Sequence, residues 1–345
     1  MKVVVIGAGY AGTIAANRLT RKSDVDVTVV NPRADFVERV RLHEHVAGSG
    51  TALTPLAEML DPRIRLIVGS VDTIGDGTVV LADGTSLPFD RLVYAAGGAP
   101  TAPSGTYAVG ALETAEQARS ALAALPDGAA VTVVGGGLTG IETAAEVAES
   151  RPDLRVRLLS EGEVGASLGP GARARVRREL DRLGVVIERG RFDGAVDGLV
   201  LWAIATQVSD LAARSGVAVD EAGRVLVDEF LRSVSDPRIV AVGDGAAVPG
   251  QRLSCQTALP QGAHGADNLA RELAGKSARR YSMGYTGQNV SIGRKRAVIQ
   301  AARRDDTPTR IHFGGAAAAV VKEQVCRMAR GAAHTARYAW LPAPR

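Results

Sequence analysis

Short apolar runs, glycine clusters and stretches of helical hydrophobic spacing alternate along the first half of the chain. Lys2–Ile6 is an apolar run of strand length, and a glycine cluster at 7–12 separates it from apolar residues at helical spacing. A second strand-like run at 25–30 completes a strand–helix–strand unit. The same order recurs downstream, in Ala130–Val134, a glycine cluster at 135–140, a helix to about residue 150 and an apolar run at 154–159. The pattern predicts an α/β protein with two Rossmann-like units.

Each glycine cluster has the G-x-G-x-x-G spacing that accommodates the phosphates of a dinucleotide. The first glycine permits a tight turn, the second lets the backbone approach a pyrophosphate, and the third allows the helix to pack closely on the sheet. Two copies in the same strand–turn–helix context indicate two dinucleotide sites, for which a flavin and a nicotinamide nucleotide are the natural pair. The residues predicted to bind them are Gly7, Gly9, Tyr10, Ala11 and Gly12 in the first copy and Gly135, Gly137, Leu138, Thr139 and Gly140 in the second.

The residue that holds the ribose hydroxyls of each dinucleotide is expected near the end of the second strand of each unit. In the first copy this residue is Asn31, whose amide can both donate and accept hydrogen bonds. In the second copy Glu161 is the predicted ribose ligand. No arginine directly follows Glu161, which favours NADH over NADPH, although Arg155 and Arg157 nearby leave NADPH open.

The second copy is shorter than the first. Strands and turns at 65–87 predict a small β-meander in the first unit, but only residues 189–197 precede the returning strand Leu199–Trp202 of the second. The turn after that strand has Ala205 where the first copy has a glycine, and a β-carbon there can crowd a cofactor. We therefore expect a shortened second unit. The sequence is compatible both with a unit that binds a nicotinamide nucleotide and with one that has lost this binding.

The remaining segments complete the predicted domain organisation. An apolar strand at 238–242, followed by Gly243-Asp244, returns the chain to the first unit, and strands followed by one helix occupy the C-terminal segment. The predicted domains are a discontinuous FAD-binding domain at 1–110 and 225–275, an NAD(P)H-binding domain at 111–224, and a small C-terminal α+β domain at 276–345 with a basic amphipathic helix.

Composition narrows the class of protein. Hydrophobic residues make up 46% of the chain and charged residues 23%, which excludes wholesale disorder. No apolar run reaches the roughly 18 residues of a membrane-spanning helix, and no signal-peptide pattern is present, so we expect a cytoplasmic protein. The two cysteines, Cys255 and Cys326, form neither a CxxC pair nor a four-ligand set, and no metal site is predicted.

The charge of the chain is distributed unevenly. Residues 276–345 hold 14 Lys or Arg against 3 acids, a net of +11, whereas residues 1–275 hold 27 against 34, a net of −7. Residues 320–341 combine an apolar stripe of helical spacing with a basic face, formed by Val321, Val325, Met328, Ala332 and Ala336 and by Arg327, Arg330, His334 and Arg337. This pattern suits a helix on an anionic membrane surface. A terminal helix packed on its own domain is the alternative, and nucleic-acid binding is not expected.

Four motifs in a fixed order carry a family resemblance. GAGYAG at 7–12, the turn Gly97-Gly98-Ala99-Pro100, GGGLTG at 135–140 and VGDGAA at 242–247 resemble the two-dinucleotide flavoproteins that include the pyridine nucleotide-disulfide reductases. The resemblance covers most of residues 1–270 and implies FAD, with Asp244 on the flavin ribityl chain. The other contacts predicted in these motifs are Ala96, Gly97 and Gly243. Because a CxxC pair is absent, the disulfide reductase branch is excluded and electrons must leave the flavin directly.

A second resemblance concerns the electron acceptor. SCQTALPQG at 254–262 resembles the AQxAxQQG segment of type II NADH dehydrogenases, whose glutamines lie by the flavin ring and the quinone. The positions that fit are Gln256, Ala258, Gln261 and Gly262, whereas Pro260 replaces the first of the paired glutamines. The resemblance implies that Gln256 and Gln261 polarise flavin or quinone carbonyls. The alternative is a helix that simply begins here with a proline near its first turn.

Two further segments resemble parts of small bacterial flavoproteins that are similar to apoptosis-inducing factor and type II dehydrogenases. Residues 31–48 are implied to pass near the flavin, where Arg41, His43 and His45 are candidate ligands or bases. YTGQNVSIG resembles a strand of the C-terminal domain that faces the flavin, and Gln288 is its best polar candidate.

These observations lead to one leading hypothesis and two alternatives. The first is an FAD-dependent oxidoreductase of the type II NADH dehydrogenase kind, in which NADH reduces the flavin and the flavin reduces a quinone-like acceptor. The second is a biosynthetic flavoenzyme whose shortened domain has lost productive nicotinamide binding. The third is a non-catalytic, flavin-loaded binding protein. The sequence is compatible with peripheral attachment to the inner face of the cell membrane and with a homodimer.

Overall fold

The computed structural model describes residues 1–98, 101–194, 197–204 and 207–344. Two five-stranded parallel sheets and a three-stranded antiparallel sheet form its framework. The α-helices span Tyr10–Lys22, Leu42–Ala47, Leu56–Met59, Leu112–Ala123, Leu138–Ser150, Pro170–Arg182, Leu211–Arg214, Cys255–Leu273 and Ala316–Thr335. Within the residues just given, none of these helices has the length and apolar character needed to cross a membrane.

The first parallel sheet combines strands that are far apart in the sequence. Its strands, in spatial order, are Ile239–Ala241, Arg91–Tyr94, Lys2–Ile6, Asp26–Asn31 and Arg65–Val68. Val3 and Val5 are buried against the helices on one face, and Val4 and Ile6 against a small antiparallel sheet on the other. Because both faces are covered, the central strand is an uninterrupted apolar run.

The second parallel sheet repeats the first. Its strands, in spatial order, are Tyr107–Ala108, Leu199–Trp202, Ala130–Val134, Arg155–Ser160 and Val186–Arg189. Equivalent backbone hydrogen bonds close both glycine turns. The Gly7 amide donates to the Val30 carbonyl at 2.8 Å, and the Gly135 amide donates to the Leu159 carbonyl at 2.9 Å. The predicted α/β fold with two Rossmann-like units is confirmed, while the exact domain boundaries stay a prediction.

A small antiparallel sheet covers one face of the first parallel sheet. Its strands are Val71–Gly75, Thr78–Leu81 and Ser86–Pro88. The prediction of a meander over 65–87 was wrong at its start. Arg65–Val68 pairs in parallel with Asp26–Asn31 and so extends the main sheet as its edge strand.

The described part of the second unit contains no counterpart of this small sheet. The chain passes from Val186–Arg189 to Leu199–Trp202 through a short connection. In that connection Phe192 packs edge-on against Trp202, with ring centroids 5.7 Å apart. Both rings lie against an apolar cluster on the sheet that consists of Val134, Leu159 and Val200. Ala205, together with Ala99 and Pro100 of the first unit, lies outside the described residues.

The C-terminal part consists of an antiparallel sheet and a long helix. The strands Gly287–Ile292, Arg296–Ala302 and Pro308–Gly315 lead directly into the helix Ala316–Thr335. The pattern of apolar residues predicted a helix as far as residue 341. The helix instead ends at Thr335, because Ala336 adopts a left-handed conformation with a φ of 55°.

The C-terminal helix packs against the first helix of the chain through small side chains. The buried residues of this contact are Ala329, Ala332 and Ala333. Asn17 strengthens it by donating from Nδ2 to the carbonyls of Ala333 and His334 at 2.9 and 3.1 Å. Val320, Val321 and Met328 remain exposed. The predicted apolar stripe is therefore split, because only its alanines allow the close approach of two helices.

Candidate active site

A cavity of about 1540 Å³ opens where the strands of the first sheet end. Segments that follow five of those strand ends line it, at 7–11, 31–33, 69–71, 95–98 and 243–244. Ligands of open α/β sheets bind at this edge, so the cavity is the candidate active site. The predicted site residues that line it are Gly7, Gly9, Tyr10, Ala11, Asn31, His43, Ala96, Gly97, Leu138, Thr139, Gly243, Asp244, Gln256 and Gln288.

The first glycine turn has the shape that a pyrophosphate requires. Gly7 has a φ of +93°, and a β-carbon there would lie 2.6 Å from the Ala95 carbonyl oxygen. A β-carbon on Gly12 would lie 1.9 Å from the Gly7 carbonyl oxygen, so Gly12 packs the helix on the strand rather than lining the cavity. Apart from its neighbours along the chain, no heavy atom of the described residues lies within 4 Å of the β-carbon position of Gly9. The helix Tyr10–Lys22 begins there without a side-chain cap, and its free amides suit the diphosphate of FAD.

The second glycine turn has the same shape. Gly135 has a φ of +124°, and a β-carbon on Gly140 would lie 1.8 Å from the Gly135 carbonyl oxygen. Chain neighbours aside, the part of the chain that the structure describes again leaves the β-carbon position of Gly137 free of heavy atoms within 4 Å. The helix Leu138–Ser150 begins there without a side-chain cap, and its Leu138 and Thr139 line the cavity. The shape of this turn fits a second dinucleotide. Gly135, Gly137 and Gly140 themselves are not among the described residues that line the cavity.

The two predicted ribose ligands have different surroundings. Asn31 is buried at the cavity wall, where its Oδ1 accepts from the Ala8 amide at 3.0 Å and its Nδ2 donates to the Arg33 carbonyl at 2.8 Å. Asn31 therefore fixes the glycine turn to the strand end. Glu161 is 71% exposed, and its carboxylate lies 3.8 Å from Arg191. Its role as a ribose ligand stays a prediction.

Asp244 faces the cavity at the end of the strand Ile239–Ala241, as the motif predicts. Arg39 Nη1 lies 3.6 Å from its carboxylate, and Arg39 Nε donates to the Gly110 carbonyl at 3.2 Å. Burial raises the pKa of Asp244, and the charge of Arg39 offsets part of that rise. The sequence analysis missed Arg39, which belongs to the segment expected to pass near the flavin.

Arg41, by contrast, points away from the cavity wall and into a buried ion-pair network. Its guanidinium contacts Glu38 at 3.4 Å, Glu44 at 3.1 Å and Glu323 at 2.9 Å. Glu323 belongs to the C-terminal helix, so Arg41 joins that helix to the first unit. Arg41 is not among the described residues that line the cavity, and its role as a cofactor ligand stays a prediction. His45 is also buried, and neither ring nitrogen has a hydrogen-bond partner among the described residues.

The two glutamines of the 254–262 segment have different positions. Ser254 caps the helix Cys255–Leu273 by accepting from the Thr257 amide. Gln256 lines the cavity, where its Oε1 accepts from Arg252 at 3.0 Å and its Nε2 donates to Thr286 at 2.9 Å. Gln261 is 3% exposed and its Oε1 accepts from the Gly243 amide at 2.7 Å. Gln261 thus holds the turn that carries Asp244, behind the cavity wall.

Gln288 connects the C-terminal sheet to the second unit. It is buried, its Oε1 accepts from the Ser167 hydroxyl at 2.7 Å, and its Nε2 donates to the Ser167 carbonyl at 3.3 Å. Gln288 also lines the cavity, so the C-terminal sheet and the second unit meet at the cavity wall.

A buried cluster of ionisable and polar groups forms one wall of the cavity. Lys322 Nζ lies 2.9 Å from Glu142 Oε1, and the two side chains are 12% and 9% exposed. Glu142 Oε1 also accepts from the amide and the hydroxyl of Ser291 at 3.0 and 3.2 Å. The Ser291 hydroxyl lies 3.2 Å from His43 Nε2. Lys322, Glu142 and His43 all line the cavity, so the cluster is open to a bound ligand.

The charges of this cluster follow from the balance of burial and pairing. Burial lowers the pKa of Lys322, but the attraction of Glu142 outweighs it and leaves the pKa above its ordinary value. Burial likewise raises the pKa of Glu142, but Lys322 and His43 bring it below its ordinary value. Burial lowers the pKa of His43. At neutral pH the site therefore contains an ammonium, a carboxylate and a neutral imidazole.

The sequence analysis missed Glu142, Ser291 and Lys322. Glu142 lies two residues beyond the second glycine cluster and interrupts an apolar helix face, which is a detectable signal. Lys322 was part of the predicted C-terminal helix but was not assigned to a face. Only the packing of that helix against the second unit brings the two charges together.

The chain is similar to known pyridine nucleotide oxidoreductases. The family model described as pyridine nucleotide-disulphide oxidoreductase matches residues 1–197. An NADH dehydrogenase-like protein of Mycobacterium tuberculosis is 31% identical over 79% of this chain and 80% of its own length. A type II NADH:quinone oxidoreductase of the same species is 28% identical over 87% of this chain and 79% of its own length.

Solved structures show the same fold at low sequence identity. NDH2 from Plasmodium falciparum in complex with NADH has a TM-score of 0.78 at 14% identity, over 96% of this chain and 97% of its own. The sulfide:quinone oxidoreductase of Aquifex aeolicus has a TM-score of 0.77 at 18% identity, over 97% of this chain and 92% of its own. With two glycine turns that fit FAD and NAD(P)H and a family model that matches more than half of its length, the chain belongs to the pyridine nucleotide-disulphide oxidoreductase family and is an FAD-dependent NAD(P)H oxidoreductase.

Proposed function

We propose that this oxidoreductase passes the electrons of NADH to a quinone-like acceptor. The single observation that carries the proposal is the ammonium group of Lys322, buried in the wall of the candidate active site and paired with Glu142. The names of relatives of similar length, the type II NADH:quinone oxidoreductases of M. tuberculosis, support the same acceptor class.

The first unit would hold FAD and the second the nicotinamide nucleotide. The diphosphate of FAD would meet the free amides at Gly9 and Tyr10, and Asp244 would bind the ribityl chain. When bound, FAD supplies both an acceptor for the hydride of NADH and a donor of electrons to the second substrate. Arg39 holds a positive charge beside Asp244 at 3.6 Å and so favours the ionised carboxylate in the buried site.

Part of the cavity wall is apolar and suits a ring system of low polarity. The residues that form it are Leu253, Cys255, Ala258, Leu259, Val321, Val325, Cys326, Met328, Ala329 and Ala332. Burial raises the pKa of Cys255 to about 11, so its thiol is neutral and adds no charge to this wall. The hydrophobic effect favours an apolar acceptor here, and the Gln256 amide and the Lys322 ammonium are available to its carbonyl oxygens.

The polar cluster would supply protons to the acceptor. A quinone takes up two protons together with two electrons when it becomes a quinol, so a buried acceptor needs a proton donor within reach. Lys322 Nζ carries a proton in the cavity wall. Behind it, hydrogen bonds continue through Glu142 and the Ser291 hydroxyl to the neutral imidazole of His43, which can both donate and accept a proton.

We also propose that the exposed face of the C-terminal helix touches a membrane surface, which would give the cavity access to a lipid-soluble acceptor. Val320 and Met328 are each 63% exposed, and Val321 and Met328 also line the cavity. Arg327 and Arg330 of the predicted basic face are already paired with Glu323 and Glu38, at 2.8 and 3.3 Å. The apolar side chains would therefore contribute most of the contact.

Anaerobic stopped-flow mixing tests the proposal. The FAD-loaded protein is mixed with NADH, and the visible absorbance of oxidised flavin is followed; a short-chain quinone is then added. We expect NADH to bleach the flavin within a turnover time and the quinone to restore its colour. A flavin that dithionite reduces but NADH does not would contradict the use of NADH. A flavin that NADH reduces but no quinone reoxidises would contradict only the acceptor.

A further inference from the structure

The repeated backbone hydrogen bonds of the two units identify which residue of the second unit lies at the ribose position. In the first unit, the Gly69 amide donates to the Asn31 carbonyl at 2.9 Å. In the second unit, the Gly190 amide donates to the Ser160 carbonyl at 3.0 Å. Ser160 is therefore the structural counterpart of Asn31, and Glu161 lies one residue beyond it.

An uncharged side chain thus occupies the ribose position of the second unit. Ser160 is buried, and its hydroxyl donates to the Gly162 carbonyl at 3.1 Å. An acid at this position would bind the 2′-hydroxyl of the adenosine ribose and repel a phosphate there. A serine lacks that repulsion, so the charges that surround it decide which dinucleotide binds.

Two arginines lie beside this position. Arg189 is the direct cross-strand neighbour of Ser160 in the parallel pair of strands. Its Nε donates to the Glu161 carbonyl at 3.4 Å. Arg191 lies 3.8 Å from the Glu161 carboxylate, and the Arg191 and Glu161 side chains are 86% and 71% exposed. The exposed pair is held only weakly, so a phosphate with two charges can displace the carboxylate from Arg191.

The shortened connection is what brings Arg191 to this edge of the sheet. In the first unit the chain continues from Gly69 into the small antiparallel sheet. In the second unit it turns back at once, and Phe192 anchors it by packing on Trp202. Arg191 lies between the strand end and this anchor, and its guanidinium approaches the carboxylate of Glu161, the residue next to Ser160.

We propose that the second nucleotide site accepts a 2′-phosphorylated dinucleotide, so that NADPH binds as well as NADH, and that Arg191, with Arg189, contacts the 2′-phosphate. The inference rests on the proposed use of a nicotinamide nucleotide by the second unit and specifies which chemical class it takes. Arginine is suited to this contact because its planar guanidinium donates two parallel hydrogen bonds to a phosphate.

Equilibrium binding to the FAD-loaded protein tests the proposal without turnover. Isothermal titration calorimetry gives the Kd of NADP⁺ and of NAD⁺ for the wild type, Arg191→Glu and the control Arg155→Glu. Arg155 lies at the opposite end of its strand, where it donates to the Gly128 carbonyl, and its substitution changes the net charge equally. We expect Arg191→Glu to raise the ratio of the NADP⁺ Kd to the NAD⁺ Kd by at least about tenfold. Arg155→Glu should leave that ratio unchanged.

A second variant and a salt series test the same phosphate contact in two further ways. Glu161→Ala removes the competing carboxylate and should lower the ratio, and added salt should weaken NADP⁺ binding more than NAD⁺ binding. Binding of NAD⁺ without NADP⁺, or an unchanged ratio in Arg191→Glu, would overturn the inference and leave the proposed function intact. Failure of both nucleotides to bind would instead contradict the proposed function, and the inference with it.

Discussion

Lys322 Nζ lies 2.9 Å from Glu142 Oε1, and this buried pair joins the C-terminal helix to the first helix of the second Rossmann-like unit. The same two residues line the cavity that FAD and the acceptor would share. One ion pair therefore serves two purposes in this protein. It fixes the position of the C-terminal helix, and it places an ammonium group where the acceptor is proposed to be reduced.

Substitution of Lys322 should separate the two half-reactions. Lys322→Met keeps the length of the side chain but removes its proton and charge, so we expect quinone reduction to slow by at least about tenfold while NADH still bleaches the flavin. Stopped-flow measurement of each half-reaction checks this expectation. Lys295→Met, which removes an exposed lysine of the same domain, is the control and should behave as the wild type. Equal slowing of both half-reactions would exclude a role confined to the acceptor.

The same substitution should also make stability depend on pH. In Lys322→Met the Glu142 carboxylate is buried without its cation, which costs about 3–5 kcal/mol when it is ionised. Loss of the cation raises the folded-state pKa of Glu142, so the loss of stability should be full at pH 8 and should shrink toward pH 5, where the carboxyl group takes up a proton. The double variant with Glu142→Gln should recover most of the loss at pH 8. Unfolding midpoints at saturating FAD measure both effects.

Ionisation of Glu146 should lower the free energy of unfolding as the pH rises. Burial raises its pKa to about 7, and Ser49 donates to its Oε1, whereas its Oε2 has no hydrogen-bond partner in the described part of the chain. A carboxyl group that binds its proton more tightly in the folded state destabilises the fold above its unfolded pKa, and the loss grows until the pH exceeds about 7.

Glu146→Gln should therefore be more stable than the wild type at pH 8, by roughly 1–3 kcal/mol, and equal to it near pH 4.5. The control is Glu188→Gln, a glutamate that is 49% exposed beside Arg157, which should change stability by less than about 0.5 kcal/mol at either pH. Denaturant unfolding across this pH range gives the comparison. A difference between Glu146→Gln and the wild type that does not vary with pH would show that Glu146 is not the titrating group.

The glycines of the two turns should differ in what they control. Gly9→Ala and Gly137→Ala place a methyl group in open space, so both variants should fold. Gly9→Ala should lose bound flavin, because the methyl group lies where the diphosphate of FAD would approach. Gly137→Ala should retain flavin but bind NADH more weakly. Flavin content and NADH titration distinguish these outcomes, and loss of flavin from Gly137→Ala would contradict the assignment of the two sites.

The exposed face of the C-terminal helix should control membrane attachment. Val321→Asp combined with Met328→Asp should reduce co-sedimentation with vesicles of phosphatidylcholine and phosphatidylglycerol, because charged side chains resist burial at the interface. A pair of substitutions at other exposed valines, Val68→Asp with Val186→Asp, is the matched control. Equal binding of the two variants to these vesicles would argue against contact through this helix.

Local features of the sequence were sufficient for much of the fold. Apolar runs of strand length and the G-x-G-x-x-G spacing predicted both Rossmann-like units. The tight turn requires glycine at fixed positions, and a strand that is buried on both faces requires consecutive apolar residues, so both features can be read from local sequence. The sheet to which Arg65–Val68 belongs could not be predicted in this way. Whether a short apolar strand joins a parallel sheet or a meander depends on its partner strand, which for Arg65–Val68 is Asp26–Asn31.

By itself, the sequence determined that this protein has two dinucleotide sites, a shortened second unit and a long basic helix near its end. Only the tertiary structure decided which side chains meet. It turned Arg41 and Gln261 away from the cavity, made Ser160 the structural counterpart of Asn31, and brought Lys322 to Glu142. The physical reason is that these contacts join residues far apart in the chain, so they depend on the pairing of strands and the packing of helices rather than on local spacing.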